Sequence, residues 1–325
     1  MNVYEEALRA HDRIKNEILE TELRPSPFLS GPGGAQVYLK LENLQHTGSF
    51  KARGAMNKIL ATPEILRERG VVTASTGNHG AAVAWGLARA GSRGIVYVTE
   101  GAPSVKVKAI ERWGAEVRRF ATDAVRTELH ARKVAADEGL IYVSPYNDPL
   151  IVAGQGTIGV ELARQLKDID AVLIPVGGGG LIAGIGGFLK HVNPHLEIIG
   201  CSPKNSQVMI QSVRAGRILE LQSEPTLSDA TAGGVEPGSI TFDLCAKFVD
   251  SFVTVTEDEI KCALLDFRRE HGMLIEGAGA VPVAAFQKTA GRFAGRNAVL
   301  VISGGNIDPD RFEDVTQDRQ ARGDA

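Results

Sequence analysis

Apolar positions along this chain follow two alternating rhythms. Short apolar runs read as strands: Gln36-Val-Tyr-Leu-Lys-Leu41, Gly70-Val-Val-Thr-Ala74, Ile95-Val-Tyr-Val98, Glu116-Val-Arg-Arg-Phe120, Leu140-Ile-Tyr-Val143, Ala171-Val-Leu-Ile-Pro175, Glu197-Ile-Ile-Gly-Cys201, Ser251-Phe-Val-Thr-Val255 and Ala298-Val-Leu-Val-Ile302. Between them the spacing turns helical. Helices are predicted over about 3–20, from Lys51 through Met56, Ile59 and Leu60, through Val83, Leu87 and Ala90, and over 104–113, 123–138, 151–166, 257–271 and 280–289. A Pro-rich crossing at Arg24-Pro-Ser-Pro27 follows the first helix, and the charged or small residues from Asp308 read as a frayed tail over 308–325. Strands alternating with helices predict parallel sheets covered on both faces.

Three of the strands end in glycine-containing turns: Ser75-Thr76-Gly-Asn78-His79-Gly80, Gly177-Gly178-Gly179-Gly180 and Ser303-Gly-Gly-Asn306. One such turn is ordinary βα punctuation. Three of them, at the carboxyl ends of strands in an α/β sheet, suggest one ligand cleft. A fourth segment, Gln45-His-Thr-Gly-Ser-Phe50-Lys51-Ala52-Arg53, puts a lysine at a helix start. There the positive end of the helix dipole disfavours the ammonium, and a partly desolvated amine of lowered pKa suits Schiff-base chemistry with a carbonyl.

The four-glycine run also meets the loose Gly-x-Gly-x-x-Ala pattern of a dinucleotide site through Gly178-Gly-Gly-Leu181-Ile-Ala183. Such a site places an acid at the end of the next strand, about 20 residues on. That strand here ends Gly200-Cys-Ser-Pro203, and no Gly-Lys-Ser/Thr follows the glycines to make a P-loop. The surviving reading is one phosphate monoester held by backbone N–H groups at a helix N-terminus. A reactive lysine, a single-phosphate cradle and no nucleotide determinants together describe pyridoxal 5′-phosphate.

Composition narrows the partners. The chain has 325 residues, 43% of them hydrophobic, and a net charge of −3 with Lys and Arg scattered, which fits two globular domains and argues against a nucleic-acid or membrane surface. Cys201, Cys245 and Cys262 are too widely spaced for a disulfide framework or a zinc site. With no apolar leader or span, the cytoplasm is the expected location.

Four segments carry a family resemblance, in order and spacing: Ser-Phe50-Lys51-Ala-Arg-Gly-Ala, Ser-Thr-Gly-Asn78-His79-Gly, Val-Gly-Gly-Gly-Gly-Leu181-Ile-Ala-Gly and Ser303-Gly-Gly-Asn-Ile-Asp. Ala153-Gly-Gln-Gly-Thr-Ile-Gly-Val-Glu161, Glu257-Asp-Glu-Ile260 and Glu276-Gly-Ala-Gly279 join them. Over nearly its whole length the chain resembles the serine/threonine dehydratases and serine racemases among fold-type II pyridoxal-phosphate enzymes.

The resemblance implies an α/β fold like the tryptophan synthase β chain, with two doubly wound parallel or mixed sheets and the cofactor in the cleft between them. A large cofactor domain would comprise 1–51 and 146–325, and a small substrate-side domain 52–145. Lys51 would bond the cofactor and act as base, with Phe50 against the ring and Asn78 on its 3′-oxygen. Gly177, Gly178, Gly179, Gly180 and Leu181 would hold the phosphate, and Ser303 the pyridine nitrogen. Ser75, Thr76, Asn78 and His79 would take the substrate carboxylate, although His79 also reads as a simple helix-capping residue. Thr76 would offer a second hydroxyl opposite Lys51. The activity implied is conversion of an L-β-hydroxy amino acid to a 2-oxo acid and ammonia by a homodimer or homotetramer.

The chain also departs from the group. Ser202-Pro-Lys-Asn-Ser-Gln-Val208 lacks the acids that bind a divalent cation in serine racemases, so no metal is expected. Ser228-Asp229-Ala230 replaces the usual Ala-Asp-Gly and leads into an unusual loop, Thr231-Ala-Gly-Gly-Val-Glu-Pro-Gly238. Too little chain follows Asp308 for the regulatory domain of biosynthetic threonine deaminases. A serine racemase, a β-replacement enzyme and a non-catalytic cofactor-binding protein are the alternatives, although Lys51-Ala52-Arg53 differs from the Lys-Asp-Arg usual in cysteine synthases.

Overall fold

The computed structural model describes all residues except 32–33, 64–67, 123 and 316–325. Its strands form two sheets. The larger orders β1 (Leu23–Pro25), β2 (Gln36–Leu41), β10 (Asn297–Ile302), β7 (Ala171–Pro175), β8 (Glu197–Pro203) and β9 (Ser251–Val255), all parallel except the β1–β2 pair. The smaller orders β5 (Glu116–Arg119), β4 (Gly94–Val98), β3 (Val71–Ala74) and β6 (Ile141–Tyr142), all parallel. Two sheets, parallel except at one edge and interleaved with helices, match the α/β arrangement that the resemblance implies.

Side-chain alternation along the large sheet builds a core on each face. Leu173, Leu300 and Ile302 point to one side, where they meet Leu264, Phe267 and Phe286 from α10 (Glu257–His271) and α11 (Gly277–Thr289). Val172, Ile174, Val299 and Val301 point to the other, against Ile158 and Leu162 of α6 (Pro149–Gln165) and Ile182, Ile185 and Phe188 of α7 (Gly180–Val192). Period-2 alternation with apolar residues on both faces is what burial under two helical layers requires.

Several elements differ from the sequence reading. The first helix, α1 (Val3–Ile14), ends there rather than running to about 20. Beyond it Leu19 trades two bonds with the Gln45 side chain, N–H to Oε1 at 3.0 Å and Nε2 to the carbonyl at 2.8 Å, which takes its backbone out of the helix. The Pro-rich crossing contains the edge strand β1, the sheet position where a proline without an N–H is tolerated. Two further helices, α8 (Val208–Ala215) and α9 (Ile240–Phe248), lie in the stretch between β8 and β9 that the periodicity left blank. Residues 309–315 form a helix and bury Phe312, while 316–325 of the expected tail lie outside the described residues. The predicted start of the helix over 123–138 likewise falls on the undescribed residue 123.

Candidate active site

The lysine segment is stitched to the carboxyl end of β10. Ser49 and Gly304 form an antiparallel bridge, Phe50 donates its N–H to the Ser303 carbonyl at 3.1 Å, and Gly305 donates to the Gly48 carbonyl at 2.9 Å. Gly48 has φ +71, and a Cβ there would run into the Asn306 side chain. Lys51 is then the first residue of α2 (Lys51–Ala61). Its Nζ donates to the Pro145 carbonyl at 2.7 Å and lies 5.1 Å from the centroid of the Phe50 ring. Burial lowers the amine to about 8, against the raising influence of Glu276 and Glu128.

The glycine run leaves β7 and enters α7. Gly179 caps that helix with φ +85, and an added Cβ would meet Cys245 Sγ and Met209 Cε at 2.9 Å. One at Gly178 would sit 2.5 Å from the Tyr146 ring, and one at Gly177 2.8 Å from the Thr231 carbonyl. Ala183 makes the first return bond of the helix, to Gly179, so the N–H groups of Gly180, Leu181 and Ile182 open outward from its end. Thr241 Oγ1 holds the loop from behind by donating to the Gly178 carbonyl at 2.6 Å. Such an end binds an anion.

From the small sheet, β3 delivers the third turn. The Ser75 N–H donates to the Tyr97 carbonyl and its Oγ accepts from Gly77, after which α3 (Asn78–Arg89) begins with its first N–H groups open. Asn78 Nδ2 donates to both oxygens of Glu276, at 2.8 and 3.0 Å, and its Oδ1 accepts from Asn306 Nδ2 at 2.7 Å. His79 goes elsewhere. Its Nε2 lies 3.0 Å from the Val143 carbonyl, and burial, reinforced by Lys51, brings its pKa down to about 3. A neutral imidazole is therefore turned into the sheet, and only the backbone N–H of His79 stays with the turn. Ser75 and Thr76 are half-buried beside it.

The sequence reading did not name Pro145 and Tyr146, which abut the lysine and the cradle, nor Asn306 and Glu276 as members of the site. Glu276 and Asn306 stand in recognised motifs, so a signal existed for them. Pro145-Tyr146 offers none.

Three buried hydroxyls along this stitched turn, those of Thr47, Ser49 and Ser303, have no hydrogen-bond partner among the described residues. Ser303 is 2% exposed, and its Oγ makes no hydrogen bond among the described residues. An orphaned buried hydroxyl calls for an external group. Residues 14–304 match the family described as "Pyridoxal-phosphate dependent enzyme". The chain belongs to that family. The L-threonine ammonia-lyase of Thermotoga maritima is 40% identical over 315 residues, spanning 97% of this chain and 78% of that protein. Among solved structures, the processed form of threonine deaminase isoform 2 from Solanum lycopersicum aligns with TM-score 0.91 at 33% identity, covering 97% of this chain and 92% of that one. Serine racemase from Dictyostelium discoideum aligns with TM-score 0.86 at 34% identity, covering 94% and 98%. The residues present fit pyridoxal phosphate: the open N–H groups at the start of α7 would suit a phosphate, the unpartnered Ser303 hydroxyl a ring nitrogen, and a lysine amine lowered to about 8 an aldehyde.

Proposed function

We propose that this pyridoxal-phosphate enzyme is an ammonia-lyase that converts an L-β-hydroxy amino acid to a 2-oxo acid and ammonia, with threonine, serine or a bulkier 3-hydroxy amino acid as substrate. The buried, unpartnered Ser303 hydroxyl carries the reading. A neutral hydroxyl, unlike a carboxylate, does not keep a ring nitrogen protonated, which favours β-elimination over transamination. When bound, the cofactor supplies an electron sink for the pair left at Cα.

The residues divide the remaining work. Lys51 would hold the cofactor, and its Nζ would take the Cα proton. Phe50 would lie against the cofactor ring, and Asn78 would offer its free N–H to the cofactor. The backbone of Gly177, Gly178, Gly179, Gly180 and Leu181 holds the phosphate, and the turn at Ser75, Thr76, Asn78 and His79 presents N–H groups to the substrate carboxylate. The Cβ–O bond breaks as the hydroxyl gains a proton and leaves as water, and the released enamine hydrolyses in solvent. In this reading 1–51 and 146–325 form the cofactor domain and 52–145 the substrate-side domain, a division supported by the smaller sheet lying wholly within 71–142. The working unit is a homodimer or homotetramer.

The test is incubation with L-threonine, L-serine and bulkier 3-hydroxy amino acids, following ammonia, 2-oxo acid and chirality together. Ammonia should form without an added nucleophile, and borohydride reduction should leave the pyridoxyl group on Lys51. D-amino acid appearing faster than ammonia would replace this reading by a racemase, with Thr76 as the second acid–base group. Label on Lys40, Lys58 or Lys106 would reject the assignment of the lysine.

A further inference from the structure

We propose that Glu276 is a positioning residue for this reaction: its carboxylate, held on the Asn78 amide, aims that amide at the cofactor. The inference rests on the cofactor assignment above.

Glu276 occupies the N-cap of α11, where a side chain ordinarily bonds the first turn of its helix, yet it makes no cap bond. Both its oxygens go to Asn78 instead, at 2.8 and 3.0 Å. One N–H pointing between the two oxygens satisfies both contacts and leaves the second N–H of Asn78 for another acceptor. The amide cannot flip. Its Oδ1 accepts from Asn306 Nδ2, and that same nitrogen donates to the Thr47 carbonyl at 2.8 Å, which identifies it as the donor. Glu276 itself is fixed by its N–H on the Gly304 carbonyl, at 3.1 Å, so it is tied to the turn that carries Ser303.

Stability does not explain the arrangement. Glu276 is 6% exposed with a neutral amide as its hydrogen-bond partner, and a buried carboxylate so placed costs more in desolvation than it returns. Burial accordingly pushes its pKa up to about 7; Asp229 acts the same way, while Asn78, Lys106 and Lys51 pull it back. Glu276 in turn raises the Lys51 amine. Burial thus raises the Glu276 carboxyl to about 7 and lowers the Lys51 amine to about 8, each moderated by the charge of the other.

Two readouts besides turnover test this: the dissociation constant of pyridoxal phosphate, and the pH titration of the bound cofactor's visible absorption. Glu276→Ala should weaken cofactor binding about tenfold, the scale of a lost charge-assisted hydrogen bond. In an Asn78→Ala background the same change should matter less than about twofold, because the effect runs through Asn78. Glu276→Gln keeps an acceptor for Asn78, so binding should stay within about threefold while the spectral transition near pH 7 disappears. Additive effects of Glu276→Ala and Asn78→Ala would overturn the proposal, as would persistence of that transition in Glu276→Gln. The glutamine variant decides alone if the alanine variant does not fold. A wild-type chain that binds no pyridoxal phosphate would overturn the cofactor assignment as well.

Discussion

His79 shows burial setting a residue's chemistry. With its ring enclosed and one nitrogen on the Val143 carbonyl, its pKa falls from 6.5 to about 3, first through burial and then through the nearby Lys51. Between those values the unfolded chain binds a proton that the folded chain refuses. The stability His79 contributes is therefore full above about pH 6.5 and is lost as pH falls through that window. Glu276, raised to about 7, works in the opposite sense, so the informative measurement compares variant with wild type. In urea unfolding at about pH 6 and about pH 4, His79→Asn should lose less stability on acidification than wild type. Equal losses would show that the ring titrates normally. At this scale Lys51, the glycines and Ser303 were legible because their signals are local in sequence. The Glu276–Asn78 bond was not, since its partners stand 198 residues apart.

The β7–α7 junction carries its function in backbone geometry. Gly179 sits at φ +85, where an L side chain costs about 1–2 kcal/mol, and a Cβ would additionally press on Cys245 and Met209. Gly179→Ala should thus weaken pyridoxal-phosphate binding and lower the melting temperature together, read by cofactor titration and calorimetry. A variant with wild-type affinity would mean that the cradle does not need this conformation. Strand β7 and helix α7 were readable because an apolar run, four glycines and a helical period leave one interpretation. Helices α8 and α9 were not, because each is short and bounded by loops whose course depends on Asn205, Tyr146 and Asn147 contacts made across the fold.

Behind Lys51 the molecule closes around buried charge. Arg53, fully buried, donates to Glu42 at 2.8 Å through Nε and Nη2 and to Glu161 at 2.5 and 2.9 Å, while Lys40 donates to Glu161 at 2.5 Å and to the Thr21 carbonyl at 2.8 Å. Burial alone would lower the Arg53 pKa, but Glu42 and Glu161 raise it above its ordinary value. These partners come from β2, the turn after it, α2 and α6, so the cluster pins the start of α2 to the large sheet. Arg53→Met should cost about 3–5 kcal/mol in chemical unfolding, because it strands carboxylates in the interior. A loss below about 1 kcal/mol would show that water reaches the cluster. The sequence by itself determined the strand–helix alternation, the helix-start position of Lys51, the glycine turn into α7 and the family, because each depends on neighbours a few residues apart. Only the tertiary structure decided which sheet receives each strand, that His79 faces inward, that Glu276 serves Asn78 rather than its own helix, and that Arg53 is neutralised by Glu42 and Glu161. Those outcomes depend on burial and on partners distant in the chain, and no local pattern encodes the dielectric that a residue meets once the molecule has closed.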